Sequence, residues 1–295
     1  MTKKSLVKLF FVVCLIGFSQ AAKSQIQLGV FADCQYCDCD TKGTRFYRNS
    51  LQKLHDCIEH FNSHKVDFVV GLGDLIDKNF SSYDSVYPIL EQSKAEIFQV
   101  IGNHDLSVKS EYFEQVPQKL KLEKSWYSFV QKGWRFIFLN GNDLTFQSND
   151  PETVEKAKTL TSKLKDEGKP NYHEWNGGIG KEQLQWMEHE LQEAQAARQK
   201  VILFCHYPLL PFEAHALWNA EEVVDILKKY DAVKCWMNGH NHAGNYTFLD
   251  GIHFLNMKGM VETEAINSFA IIKLSETAIE VTGFGNEPQR ILPLN

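Results

Sequence analysis

Apolar residues fall along this chain in two rhythms. Short, mainly apolar runs occur at Ile26 to Ala32, Phe68 to Leu72, Ile97 to Ile101, Val201 to Phe204 and Ala232 to Met237. Runs of that length, bounded by polar or glycine-containing segments, read as buried strands. Between them the apolar positions recur at spacings of three and four. Tyr47, Leu51, Leu54, Ile58 and Phe61 form one such stripe, and Tyr87 with Leu90 a shorter one. Leu184, Met187 and Leu191 form a third, and Val223, Ile226, Leu227 and Tyr230 a fourth. These are helix patterns, and strands alternating with helices predict a layered α/β domain.

The rhythm changes twice. Trp126 to Val130 and Trp134 to Leu139 flank Lys132-Gly133 and predict a hairpin. Near the C-terminus Tyr246 to Leu249 and Ile252 to Asn256 flank a turn at Asp250-Gly251, and Phe269 to Leu274 and Ala278 to Gly283 follow as further strands. The stretch 142–176 is polar, with a helix expected from Pro151 to about Lys165. It reads equally as a surface excursion or as a lid or rim over a site, since long polar insertions in enzymes are often binding loops. No repeat, low-complexity tract or linker divides the chain. The expectation is one domain over residues 25–295, with two packed sheets flanked by helices and an insertion at about 142–176.

Residues 1–24 do not belong to that pattern. Lys3, Lys4 and Lys8 precede an apolar run from Leu9 to Phe18, and small and polar residues follow to Ser24. This is the layout of a secretory signal, with an uncleaved anchor helix as the other reading. It predicts an exported protein, periplasmic or secreted, without a stable membrane anchor once the leader is removed. The formal charge is −6, and all the charges of the leader are lysines, so the remainder is more acidic still. An acidic body disfavours nucleic acid as a partner. It leaves room for a small anionic substrate, because bound metal ions reverse the local field. Cys34, Cys37 and Cys39 are close enough to suggest zinc but lack a second matching pair. Cys57 and Cys235 read as core residues.

Polar groups cluster where strands end. Asp33-Cys34-Gln35 follows the first run, Gly73-Asp74 the second, and Gly102-Asn103-His104-Asp105 the third. Cys205-His206 and Gly239-His240-Asn241-His242 follow the last two. In open α/β sheets that edge gathers sites, because several loops converge there. Two carboxylates, two amides and three imidazoles are too many ligands for one metal and about right for two. The ligand set is rich in oxygen, with some nitrogen and no required thiolate, which suits Mn²⁺ or Mg²⁺ better than a closed cysteine-rich zinc site. On extended backbone, His240 and His242 would point to one side, each serving one of two ions. Glycines ahead of Asp74, Asn103 and His240 would let backbone and ligand approach closely.

Taken in order, these five motifs resemble the signature of the calcineurin-like metallophosphoesterases, over about Ile26 to Leu274. Gln35 stands where the usual first motif has His. With Gly43-Thr44-Arg45-Phe46-Tyr47-Arg48-Asn49-Ser50-Leu51, Asn176-Gly177-Gly178-Ile179 and Trp218-Asn219-Ala220-Glu221-Glu222-Val223, this resembles the manganese-dependent ADP-ribose/CDP-alcohol diphosphatase branch. The resemblance implies a four-layer α-β-β-α sandwich. It implies one metal on Asp33, Gln35, Asp74 and His242, and another on Asp74, Asn103, His206 and His240. The ions would be Mn²⁺, with Mg²⁺, iron or Zn²⁺ as alternatives. A hydroxide held between them would attack the diphosphate of a nucleoside diphosphate-X substrate. His104 would face the phosphate or leaving group and Asp105 would orient it. Arg45 and Arg48 are candidates for a distal phosphate or ribose; Phe46, with Tyr36 and Trp175, for a base; and Tyr207 for shaping the pocket. The alternatives are an exported phosphodiesterase or phosphomonoesterase and a non-catalytic nucleotide-binding protein.

Overall fold

The computed structural model describes residues 25–294, so the proposed leader lies outside the described residues. In chain order the strands and helices are β1 (Ile26–Phe31), α1 (Ser50–His64), β2 (Phe68–Gly71), α2 (Tyr83–Leu90), β3 (Glu96–Gln99) and α3 (Val116–Lys119). Then come β4 (Tyr127–Gln131), β5 (Trp134–Phe138), α4 (Pro151–Asp166), α5 (Lys181–Ala196), β6 (Lys200–Phe204), α6 (Ala220–Leu227) and β7 (Val233–Asn238). The chain closes with β8 (Asn245–Leu249), β9 (Ile252–Asn256), β10 (Ser268–Leu274), β11 (Ala278–Gly285) and β12 (Arg290–Pro293).

Two mixed sheets result, in the orders β12-β11-β10-β1-β2-β3 and β4-β5-β6-β7-β9-β8. Their facing sides interlock through Leu28, Val30, Phe68 and Val70 on one sheet and Phe136, Phe138, Ile202 and Phe204 on the other. The outer face of the first sheet is covered by α1 and α2, through Leu54, Ile58, Phe61, Tyr83 and Val86. The outer face of the second is covered by α5 and α6, through Leu184, Met187, Leu191, Val223 and Leu227. The order helix, sheet, sheet, helix is the expected four-layer sandwich. Strands β1, β2 and β3 run parallel, as do β5, β6, β7 and β9. Their C-terminal ends therefore form common edges, and the loops of both sheets meet above them.

Departures from the sequence pattern have local causes. The second helix begins at Tyr83, earlier than its short stripe suggested, and carries Pro88 inside. Strand β12 was not anticipated: it buries Leu292 but leaves Ile291 exposed, so it has no continuous apolar run. Cys37 and Cys39 form a disulfide, which removes them as the thiolates of a zinc site. The other described cysteines are free and buried.

The polar stretch 142–176 is anchored. Asp150 caps α4 by accepting the backbone N–H of Glu152 and Thr153. The buried side of α4, Ala157 and Leu164, packs with Trp218. A bridge between Leu144 and Gly178 ties the start of the excursion to the segment just after it. Among the described residues no helix is long and apolar enough to cross a membrane.

Candidate metal centre

The loop after β1 supplies Asp33 and Gln35, and the loop after β2 supplies Asp74. The continuation of β3 supplies Asn103 and His104, β6 leads to His206, and β7 leads to His240 and His242. His206 Nε2 lies 3.1 Å from Asn103 Oδ1 and 3.3 Å from Asp74 Oδ2. Gln35 Nε2 lies 3.0 Å from the same Asp74 oxygen and 3.1 Å from His242 Nε2. His242 Nε2 is 3.6 Å from Asp33 Oδ1. Two overlapping groups with donor atoms inside 4.8 Å emerge: Asp74, His206 and His240, and Asp33, Asp74 and His242. Asp74 belongs to both.

The donor set fits divalent ions on its chemistry. Gln35 Oε1 is buried without a hydrogen-bond partner. A half-turn of the amide brings that oxygen to the side facing Asp74 and His242, where a cation would satisfy it. The three imidazoles are each fixed through one ring nitrogen. His206 Nδ1 is 2.8 Å from the Leu72 carbonyl, His240 Nε2 is 2.9 Å from Asn176 Oδ1, and His242 Nδ1 is 2.7 Å from Glu262. Each keeps its other nitrogen for the cluster, which is the arrangement metal-ligating histidines adopt.

The backbone is strained to achieve this. Asp33, Gln35, Asp74 and His240 have φ of 52°, 44°, 52° and 70°. Left-handed backbone at a non-glycine residue costs on the order of 1–3 kcal/mol each and collects at functional sites. His240 therefore does not sit on extended backbone: β7 has ended at Asn238, and the turn sends the two imidazoles to different groups. Close packing also demands glycine. A Cβ on Gly102 would lie 2.0 Å from Asp74 Oδ1, and one on Gly239 would lie 2.7 Å from Asp33 Oδ2.

The charge pattern is uneven. Burial alone would raise the Asp74 carboxyl, but the imidazoles of His206, His104 and His240 outweigh it and hold it well below the carboxylate range. Asp33 is raised by burial and by Asp74, only partly offset by His242 and His206. Burial would lower His206, yet Asp74 pushes it up to about 9. His240 is lowered by burial and by its neighbour His206.

The carboxylate that reaches His104 is Asp77, not Asp105. Asp77 Oδ1 pairs with His104 Nδ1. His104 is raised because Asp74 and Asp77 outweigh its burial. Asp105 instead accepts the backbone N–H groups of Asp74 at 2.9 Å, Leu75 at 3.0 Å and Gly102 at 2.9 Å. A carboxylate so occupied locks the two turns that carry Asp74 and Asn103. Asp105 is fully buried, and burial together with Asp74 raises it to about 7.

A cavity of about 360 Å³ opens over the cluster, with His104 on its wall and Arg45, Trp175 and His215 towards its rim. The other substrate candidates fall elsewhere. Arg48 pairs with Asp38 and Asp40 on the surface. Phe46 is half-buried and does not line the cavity. Tyr207 is buried behind the cluster, its hydroxyl donating to Asn142 at 2.6 Å and its ring edge-on to His206 and His240. Tyr36 bridges to Ile76. Of the polar excursion, Trp175 reaches the cavity and Asn176 reaches His240, so its end forms a rim.

A family model for calcineurin-like phosphoesterases matches residues 26–244. The chain belongs to the calcineurin-like phosphoesterase family. It is accordingly a metal-dependent hydrolase of phosphoric esters or anhydrides with a dinuclear centre. Its relatives include a manganese-dependent ADP-ribose/CDP-alcohol diphosphatase of Arabidopsis thaliana, 29% identical over 90% of this chain and 96% of the relative. One of the same description from Mus musculus is 27% identical over 93% and 95%. A crystal structure of a dimetal phosphatase from Danio rerio superposes with a TM-score of 0.82 at 24% identity, covering 92% of this chain and 99% of that one. That likeness shows the phosphoesterase fold.

Three residues of the site were not anticipated. Asp77 had a visible signal, since it lies three positions beyond Asp74 in Gly73-Asp74-Leu75-Ile76-Asp77. His215 and Glu262 belong to no strand-end motif and are brought in by tertiary folding alone.

Proposed function

We propose that this phosphoesterase cleaves the diphosphate of nucleoside diphosphate-X compounds, such as ADP-ribose and CDP-alcohols, with Mn²⁺. The observation that carries the reading is Gln35, a neutral amide with an orphaned oxygen in place of an imidazole. It makes the first position harder, which favours Mn²⁺ over softer ions. The manganese-dependent diphosphatases among the relatives support the same choice. Asp33, Gln35, Asp74 and His242 would hold one ion, and Asp74, Asn103, His206 and His240 the other. Bound there, the pair supplies Lewis-acid charge and an acidified water as nucleophile.

The remaining chemistry belongs to the chain. Asp77 fixes His104 through Nδ1, so Nε2 is the atom left to donate a proton or hydrogen bond to the departing phosphate oxygen. Arg45 offers a guanidinium to the second phosphate. Trp175, 48% exposed and stacked on His173 with ring centroids 4.0 Å apart, offers an aromatic face to the nucleoside. The acidic body repels polyanions, so the substrate is a small molecule. The basic and apolar leader supports export, which N-terminal sequencing of the protein from an envelope or secreted fraction tests.

The substrate reading is tested by a panel of ADP-ribose, CDP-choline, cyclic AMP and bis-p-nitrophenyl phosphate with Mn²⁺. Turnover of the first two is expected. Turnover of the last two alone contradicts a diphosphatase.

A further inference from the structure

Glu262 lies beyond the stretch matched by the family model, which ends at residue 244. It is nevertheless built into the centre from several sides. Its Oε1 is 2.7 Å from His242 Nδ1 and 3.9 Å from Arg45 Nε. Its backbone bridges antiparallel to Arg45, with Phe46 N–H donating to the Val261 carbonyl at 2.9 Å and Thr263 N–H to the Thr44 carbonyl at 3.1 Å. Beneath it, Lys53 from α1 is 4% exposed and donates to the carbonyls of Met260, Glu262 and Thr263 at 2.7, 2.9 and 2.8 Å. A buried lysine spending all three donors on one short segment fixes that segment. The same segment is stitched to the first loop of the site by Met260 N–H to the Ala32 carbonyl and Val261 N–H to the Asp33 carbonyl, both at 2.9 Å.

The three histidines are backed unequally. His206 leans on a carbonyl and His240 on an amide oxygen, both neutral. His242 alone leans on a carboxylate. A carboxylate behind an imidazole fixes its tautomer and raises its basicity as a ligand, and loss of such a partner typically weakens metal binding about 10–100-fold. The Asp33 side has reason to need this, because it holds Gln35 where a second imidazole would otherwise donate.

We propose that Glu262 is a positioning residue that strengthens metal binding on the Asp33–Gln35–His242 side and thereby makes the two metal positions unequal. The proposal rests on the metal assignment given above and not on the choice of substrate. Arg45 and the Lys53 clamp keep the carboxylate from swinging away from His242. Because Arg45 shares that carboxylate, the side of the cavity that receives phosphate and the side that holds the metal are tied to one group.

The test is a Mn²⁺ titration of the protein, with free Mn²⁺ followed by electron paramagnetic resonance, for wild type, Glu262→Gln, Glu262→Asp and Asn176→Ala. Glu262→Gln keeps the size and the acceptor oxygen and removes only the charge, so it is the variant that folds if any does; thermal melts of the metal-free proteins check this. Two binding phases are expected in wild type. Glu262→Gln weakens one phase about tenfold or more and leaves the other within about threefold. Glu262→Asp recovers part of the loss, and Asn176→Ala weakens the opposite phase. Two wild-type phases that Glu262→Gln leaves unchanged, or weakens equally, overturn the role of Glu262 while sparing the metal centre. A wild type that binds fewer than two ions overturns the metal assignment itself, and this proposal with it.

Discussion

The two sides of the cluster are built by different means. The His206–His240–Asn103 side comes from β6, β7 and the continuation of β3, and its imidazoles rest on neutral oxygens. The Asp33–Gln35–His242 side has a single imidazole and an amide, and it borrows a carboxylate from a segment held by a buried lysine. In the metal assignment proposed above, one side would take its donor strength from ligand type, the other from a partner outside the ligand set. Asp74 joins them, and the imidazoles around it outweigh its burial and hold its carboxyl well below the usual carboxylate range.

Breaking the shared residue erases the comparison. Asp74→Asn is expected to lower kcat/KM on the order of a thousandfold or more and to reduce the bound Mn²⁺, because both groups lose their common carboxylate. Activity near wild type would contradict a bridging role. Asp77→Asn acts on neither side and should lower kcat on the order of a hundredfold with KM and Mn²⁺ binding little changed, as expected for loss of an oriented acid. Equal loss in Asp105→Asn and Asp77→Asn, each confined to kcat, would contradict the separate jobs given to them.

Smaller changes sharpen the contrast. Lys53→Met should destabilise the chain by about 2–3 kcal/mol, since three carbonyls lose their donor, and denaturant melts measure this. The difference should depend on pH with a definite sign. Burial lowers the Lys53 ammonium to about 8 from its ordinary 10.5. Between those values the unfolded chain still holds a proton that the folded one has released, so wild type gains stability relative to Lys53→Met as pH rises through that window. Trp175→Ala should raise KM for ADP-ribose about tenfold and leave turnover of bis-p-nitrophenyl phosphate alone, because only the former carries a nucleoside to stack.

Much of this is legible in the sequence. The five strand-end motifs can be read because each of these strands is a short, mainly apolar run, interrupted only at Gln27, Gln99 and Lys234, and a cluster of polar residues begins where the run stops. The helix stripes placed the flanking layers for the same reason. What could not be read depends on directions and distant partners. Asp105 adjoins His104 in sequence but turns inward to lock two backbone turns, whereas the buried Asp77, 27 positions away, pairs with the ring. The left-handed backbone at four donors leaves no trace in composition. Arg48 stands in the same helix entry as Arg45, yet Asp38 and Asp40 draw it to the surface. Glu262 sits in a short segment between strands with no pattern of its own, and the Lys53 clamp, the bridge to Arg45 and the backbone bonds to Ala32 and Asp33 carry it to His242.

The most direct measurement is anomalous diffraction at the manganese edge from crystals of the protein soaked in Mn²⁺. Two peaks about 3.5–4 Å apart are predicted, one among Asp33, Gln35 and His242 and the other among Asn103, His206 and His240, with Asp74 between them. A single peak, or peaks that do not share Asp74, would contradict the account.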